Sequence, residues 1–378
     1  MLDTVFLISA LLIIYSYFLY PVIVIVLSRI VSEKKYPSDF EPEVTILICA
    51  YNEEKYVIEK ITNAVGTDYP KDKLNVVFVS DGSSDSTMDK ARSLSFDNLK
   101  IIEIKQRHGK AHAINTALKE INSEVIVFTD ANVFMDSTAV KELVMPLSAE
   151  EVGCVSGNVK LKAVTTGEIL GEGLYMRYER MIFQSESLIN TMVGIDGGLF
   201  AIKRKLVSPL PENIILDDML MAMRALLLNT KIKYRSTAMA TELVPALVSQ
   251  EFRRKVRIAT GAFQILQFIK SILLPWKNFS ASVFFVSHKL LRWFSPLLLL
   301  AVLLVPVFNL TYFLYQLVLL LQTVFYLLAL FGAAFPQLRE KTIIYFPYYF
   351  TTINIAMLLG LFKFLFGTQS VKWEKVDR

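Results

Sequence analysis

Four acidic groups and one basic run hold the residue types best suited to chemistry. In chain order they are Asn52-Glu53-Glu54, Asp81, Asp130 with Asn132, Asp217-Asp218, and Arg253-Arg254-Lys255-Val256-Arg257. Each acidic group closes a strand-like segment or a loop. Carboxylates in such places bind nucleotides and metal ions, and one of them can serve as a base. Guanidinium groups hold diphosphates through paired hydrogen bonds. The basic run lies just before the chain turns hydrophobic, which places the chemistry at a membrane surface.

A sheet must position the first three groups. The pattern predicts strands over 44–50, 75–80, 100–104 and 124–129, with helices over 53–65, 84–93 and 110–121 between them. Continuous apolar strands alternating with helices predict an α/β domain with a mostly parallel sheet, covered on both faces. Ligands of such sheets bind beyond the carboxyl ends of the strands, where Asn52, Asp81 and Asp130 fall. The second half is less regular. A helix is expected over 172–189, and a glycine-rich turn running into a strand over 194–202. A further helix over 217–228 has Asp217 and Asp218 in its first turn, where the helix dipole favours negative charge.

The 378 residues are 53% hydrophobic with a mean hydropathy of +0.44, too apolar for a purely soluble protein. Residues 2–30 carry no charge but Asp3 and Arg29, long enough to span a bilayer, which takes about 20 residues. Without a basic start or a small-x-small cleavage site, this segment reads as a retained anchor. Lys34 and Lys35 follow it and mark the cytoplasmic side. The net charge of +5 comes from lysines interspersed with acids, so no nucleic-acid stripe is present and a surface facing anionic lipid is the simpler reading. Cys49 and Cys154 lie in apolar runs and read as small core residues, and His108, His112 and His288 are not spaced as a metal cluster.

Residues 251–272 are basic and then amphipathic, with Phe263, Leu266, Ile269 and Leu273 on one side and Trp276 and Lys277 just beyond. Such a helix can lie in the membrane interface. A core-packed helix fits the pattern as well, and the position directly before a spanning segment favours the interface. Spans are expected over 290–310, 311–331 and 343–366, the last interrupted by Pro347 and Asn354. Three full spans after a cytoplasmic domain put the charged tail outside, whereas its basic residues favour the inside. Either the last stretch is re-entrant or interfacial, or the tail is external.

The runs Ile46-Leu-Ile-Cys-Ala-Tyr-Asn-Glu-Glu54 and Val79-Ser-Asp-Gly-Ser-Ser-Asp-Ser-Thr87 resemble the opening of family 2 glycosyltransferases. Phe128-Thr-Asp-Ala-Asn132 stands at the family's metal motif. Gly194-Ile-Asp-Gly-Gly198, Leu216-Asp-Asp218 and Arg254-Lys-Val-Arg-Ile258 follow in the family's order, and Ser287-His-Lys-Leu-Leu-Arg-Trp293 is similar to the join with the membrane region in polysaccharide-synthesising members. The resemblance covers about 42–293. It implies a cytoplasmic GT-A domain at 36–261, set between a transmembrane anchor at 1–35 and an amphipathic interface helix at 262–283, with a C-terminal transmembrane region and charged tail at 284–378.

In that family the positions of Tyr51, Asn52, Glu53 and Asp81 contact the nucleoside, whereas Asp85 reads as a helix cap. Lys110 begins a helix and is placed to reach the donor phosphate. Asp130 and Asn132 offer hard oxygens to Mg2+ or Mn2+, which would bridge the diphosphate. The family usually has Asp at both positions, and Asn132 supplies no charge. Asp217 takes the Glu position of the family's Thr-Glu-Asp motif and Asp218 the position of the base, which implies inversion at the sugar carbon. Arg254 and Arg257 share one helix face and suit a diphosphate, but Ile258 stands where processive members have Trp, and the Gln of that motif is missing. Gly194, Asp196, Gly197 and Gly198 are placed near the acceptor sugar.

The resemblance thus implies a multi-pass enzyme of the inner or plasma membrane with its site facing the cytoplasm. It would move a sugar from UDP-glucose or UDP-N-acetylglucosamine to a growing saccharide. Two other readings stay open: the same chemistry on a lipid acceptor such as a polyprenyl phosphate or glycolipid, and an inactive membrane scaffold that binds nucleotide sugars.

Overall fold

Val44–Ala50 (β1) is apolar except for Thr45, and all seven residues are buried, as expected of a strand covered on both faces. In the computed structural model, which describes residues 2–163, 174–244, 248–274 and 278–367, β1 pairs in parallel with β2 (Leu74–Asp81) on one side and β4 (Val125–Asp130) on the other. β3 (Leu99–Ile104) continues the parallel set beyond β2. β5 (Val133–Met135), β6 (Val152–Ala163), β7 (Leu199–Lys203) and β8 (Lys231–Val244) complete one sheet in the order β3-β2-β1-β4-β7-β6-β8-β5.

The sheet is mixed rather than mostly parallel. β7 runs antiparallel to both β4 and β6, and β5 antiparallel to β8. A strand buried on both faces reads the same in either direction, so the apolar runs fixed the strands but not their sense. The long β6 and β8, parallel to each other with two irregularities in register, and the short β5 are the strands the sequence pattern left out.

Two helices end up shorter than expected because the loops before them are tied down. The predicted helix over 53–65 begins only at Val57. Ahead of it, the Glu53 N–H donates to Thr87 Oγ1 at 2.8 Å, and the Ser86 N–H donates to the Glu54 carboxylate at 3.2 Å. The helix over 84–93 narrows to Thr87–Arg92, since Asp85 accepts the Thr87 N–H at 3.1 Å in a turn of its own. The helix over 110–121 ends at Ala117. One core gathers Val57, Ile61 and Ala64 with Val140, Leu143 and one face of the central strands. On the other face Phe128 stacks on Phe200 at 4.8 Å. Cys49 and Cys154 are free and buried.

The chain divides into two compact units. The sheet unit spans Val24–Leu247, with Ile265–Phe284. The other gathers Met1–Ile23, Val248–Gln264 and Phe285–Gln369. Helices Leu2–Ser28, Glu251–Leu273, Phe313–Ala334 and Thr342–Phe366 are each long and apolar enough to cross a membrane. The span expected over 290–310 is instead a pair, Phe279–Trp293 and Ser295–Val307, bent by 57°. Pro296 lies in the first turn after the bend, where a missing N–H is harmless, and it cannot continue the preceding helix. Thr342–Phe366 runs unbroken through Pro347, and buried Asn354 accepts a hydrogen bond from Ser295 at 2.6 Å. The segment expected as a separate interface helix continues the helix Val248–Ile269 into a 3-10 turn, Lys270–Leu273. Trp276, Lys277 and the charged tail lie outside the described residues.

Candidate active site

Strand register brings the first acidic groups to one edge. Cys49 stands opposite Val79 on one side and Asp130 on the other, and Ala50 stands opposite Ser80. Tyr51, Asn52, Asp81 and Asp130 therefore leave the sheet together, at the carboxyl ends of β1, β2 and β4, where the strand order reverses.

Asp81 is buried, and its carboxylate accepts the backbone N–H groups of His108 at 2.9 Å and Gly109 at 2.6 Å. It thus shapes the loop that delivers Lys110. Gly82, at φ 67°, lets that loop approach: a Cβ there would come within 2.5 Å of the Arg107 nitrogen. The Arg107 guanidinium lies 3.8 Å over the Tyr51 ring, and its Nη2 is buried with no hydrogen-bond partner among the described residues. One face of Tyr51 is therefore covered by Arg107. Asn52 takes a left-handed conformation, φ 55°, and its side chain exchanges hydrogen bonds with Ser84. That exchange joins the loops after β1 and β2.

Lys110 begins the helix Lys110–Ala117. Its ammonium donates to Asp130 Oδ1 at 2.7 Å and stands 3.6 Å from Asp217 Oδ2. Burial alone would lower its pKa, but Asp130, Asp217 and Asp218 outweigh burial and raise it, so Lys110 stays charged. Asp217 is buried and Asp218 half-buried at the start of the helix Asp217–Leu227. Asp218 accepts the Met219 N–H at 2.7 Å. Burial first, and the charge of Asp217 second, push the Asp218 carboxyl up to about 6, against the pull of Lys110. A carboxylate so placed is ionised at neutral pH yet more basic than usual.

The glycine turn lies directly against Asp218. A Cβ on Gly197 would overlap Asp218 Oδ2 and stand 2.8 Å from its Cγ. Gly194 turns the chain at φ 127°. Asp196 donates its N–H to Ser156 Oγ at 2.8 Å, and its carboxylate accepts the Gly198 N–H at 3.2 Å. Burial, then the nearby Glu242 carboxylate, push Asp196 up to about 7.

Asn132 is buried, and its amide nitrogen donates to the Leu243 carbonyl at 3.0 Å and to Glu242 at 3.4 Å. Its carbonyl oxygen accepts no hydrogen bond among the described residues. No three His, Cys, Asp or Glu side chains converge as a ready metal cage among the described residues. Asp130 and the Asn132 carbonyl nonetheless fit Mg2+ or Mn2+, which take one or two protein oxygens and fill the rest of their shell with phosphate and water.

The structure thus joins Asp130, Lys110, Asp217, Asp218 and the 194–198 turn through a continuous set of contacts. Lys60, Arg107 and Glu242 belong to the same region and were not singled out from the sequence. Lys60 could have been, since it stands among Val57, Ile61 and Ala64 on an apolar helix face. Arg254 and Arg257 lie on the helix Val248–Ile269, in the part assigned to the other compact unit, where Arg254 pairs with Glu251 at 3.1 Å.

A mixed sheet with this strand order and an acidic carboxyl edge is a GT-A-like fold. A mannosyltransferase from Pyrobaculum calidifontis, solved in complex with GDP-Man and Mn2+, shares it with a TM-score of 0.72 at 23% identity, covering 98% of this chain and 100% of that one. Residues 45–208 match the model of glycosyl transferase family 2. Similar curated proteins are the poly-β-1,6-N-acetyl-D-glucosamine synthases. That of Staphylococcus aureus is 25% identical over 231 residues, 59% of this chain and 55% of that protein. That of Staphylococcus epidermidis is 24% identical with the same coverage. The chain spans about half the length of these relatives.

Proposed function

We propose that this protein is a membrane-bound, inverting glycosyltransferase that moves a sugar from a nucleotide-sugar donor to a growing saccharide. The observation that carries this reading is the set Lys110–Asp130–Asp217–Asp218 at the sheet's carboxyl edge, with Asp218 raised to about 6 and packed on the Gly197 turn. Asp218 is the base: it takes the proton from the acceptor hydroxyl as that oxygen attacks the sugar carbon opposite the departing diphosphate. Asp217 holds Lys110, and Lys110 meets the donor phosphate. Tyr51, Asn52, Glu53 and Asp81 line the nucleoside end, and Arg254 and Arg257 serve the diphosphate. Gly194, Asp196, Gly197 and Gly198 face the acceptor. Asp130 and Asn132 hold a divalent ion, Mg2+ or Mn2+, which supplies charge stabilisation for the leaving diphosphate.

The helices long enough to cross a membrane, with Lys34 and Lys35 just after the first of them, support a multi-pass protein with the site facing the cytoplasm. Similarity to the poly-N-acetylglucosamine synthases favours UDP-N-acetylglucosamine, with UDP-glucose next. A lipid acceptor is the second reading, favoured by the small number of apolar helices, four or at most five among the described residues.

A donor screen on purified, detergent-solubilised protein with Mg2+ or Mn2+ tests the reading, and GDP-mannose belongs in that screen because the mannosyltransferase binds it. Sizing the radiolabelled product separates a polymer ladder from a single lipid-extractable species. Asp218→Asn should abolish transfer while leaving nucleotide binding largely intact. Turnover like that of the natural protein in this variant would sink the assignment of the base.

A further inference from the structure

Lys60 puts an amine in a place built for a leucine. It lies on the helix Val57–Val65, on the stripe formed by Val57, Ile61 and Ala64, and it is 0% exposed. A buried charge is expensive unless its hydrogen bonds are made. Here they are made to two specific atoms: Nζ donates to Thr129 Oγ1 at 2.8 Å and to the Val133 carbonyl. Those atoms flank the turn Asp130-Ala131-Asn132 on its two sides. One helical turn further on, Asn63 grips the next stretch of chain. Its amide nitrogen donates to the Met135 carbonyl at 2.8 Å, and its oxygen accepts the Met135 N–H at 2.9 Å.

We propose that Lys60 is a positioning residue for the Asp130–Asn132 turn. Its amine joins the end of β4 to the start of β5, with Asn63 as a second anchor, and so sets where the Asp130 carboxylate and the Asn132 carbonyl stand to meet a metal-bound diphosphate. The inference rests on the reading of that turn given under Proposed function.

The choice of side chain supports a positioning role over a packing one. A helix-to-sheet contact alone would be served by methionine or leucine, which fill the same stripe without desolvating a charge. Lysine brings several donors on one long stem, so a single group can reach a hydroxyl and a carbonyl at once. Burial lowers its pKa to about 7 against the charge of Asp130, and the amine, protonated or neutral, keeps donors enough for both bonds. The Asn132 amide is anchored separately, on β8. The turn is therefore held from the helix and from the sheet.

The test is calorimetric binding of UDP and of GDP to the full-length, detergent-solubilised protein, each with and without Mn2+. Lys60→Met keeps the length of the side chain and removes its donors. Its Mn2+-dependent gain in nucleotide affinity should fall about ten-fold or more, while metal-free affinity changes less than about two-fold. That split separates positioning from general loosening, which would weaken both. Asn63→Ala, which releases the neighbouring anchor, should show the same selective loss in smaller measure and reads the same segment should Lys60→Met not fold. A Mn2+-dependent gain equal to that of the natural protein in either folded variant overturns the proposal. Natural protein that gains nothing from Mn2+ with either nucleotide overturns the assignment of the metal site, and this inference with it. Donor turnover in the screen tests the transferase reading independently of both.

Discussion

Replacing Gly197 by alanine tests the placement of Asp218 directly. The backbone at Gly197 lies outside the left-handed region, so alanine carries no conformational penalty and slightly restricts the unfolded chain. The new methyl would overlap Asp218 Oδ2 and lie 2.8 Å from Cγ and 3.2 Å from Cβ. Unbonded carbons settle at about 3.5–4.0 Å, so the carboxylate must withdraw by roughly 1 Å. It can do so by leaving its rotamer, at about 0.5–1.5 kcal/mol, and by weakening its bond to the Met219 N–H. Folding therefore changes little.

Catalysis does not escape as easily. A displacement of about 1 Å at a reacting group costs on the order of 100-fold in rate, or about 2.7 kcal/mol of barrier. Steady-state transfer from the donor found in the screen should show kcat down about 100-fold with donor KM nearly unchanged, because the nucleoside end lies at other strand ends. Gly198→Ala is the comparison. Its methyl would meet Val133 and Val159 at 3.3 and 3.4 Å and Asp196 Oδ1 at 3.5 Å, which demands small adjustments only, so its loss should stay under about ten-fold. Folded Gly197→Ala protein with kcat within about ten-fold of the natural enzyme would refute the contact between the glycine turn and the base.

Two further outcomes follow from the perturbed acids. Transfer needs Asp218 ionised, so kcat/KM should fall about ten-fold per pH unit below about 6, and Asp217→Asn, by removing a like charge, should move that limb to lower pH. A limb that stays in place would remove Asp217 from the account. Asp196 is raised from 3.8 to about 7, so the folded protein holds this proton while the unfolded chain has already lost it; stability from this group is full below pH 3.8 and drains away as pH rises to about 7. Asp196→Asn keeps an acceptor for the Gly198 N–H and should raise the melting temperature above about pH 7 but not near pH 4, and a pH-independent difference in thermal melts would contradict it.

The parallel half of the fold was legible because its strands are short, largely apolar runs between helices. The other half was legible only at β7. β6 and β8 carry Lys160, Lys162, Lys231 and Lys233, which break the apolar run that marks a buried strand. The site was legible as a set of residue types in the order of a known family. Its internal contacts were not, because they join residues far apart in the chain. Nothing local says that Asp81 will hold the His108–Gly109 loop, or that Gly197 will press on Asp218. Lys60 shows a signal that was present but unused: a charge on an apolar stripe has to find its partners inside the fold.

The balance of charge also ties the base to the donor. Lys110 serves Asp130 and Asp217 together, and it is the group that lowers the Asp218 pKa most, ahead of the backbone bond from Met219. Asp130 acts in the opposite direction and more weakly. When Lys110 turns to the donor phosphate, Asp218 loses its larger stabilising charge and, as Asp130 is engaged too, only a smaller repulsion. On the proposed reading, the negative charges of the donor diphosphate offset those of a divalent ion at Asp130, so the loss of Lys110 dominates and the Asp218 pKa should rise as the donor arrives. The acid limb in kcat, which reports the donor-bound protein, should therefore lie at higher pH than the limb in kcat/KM, which reports the free protein. Coincident limbs would mean that Lys110 keeps its carboxylates throughout the cycle.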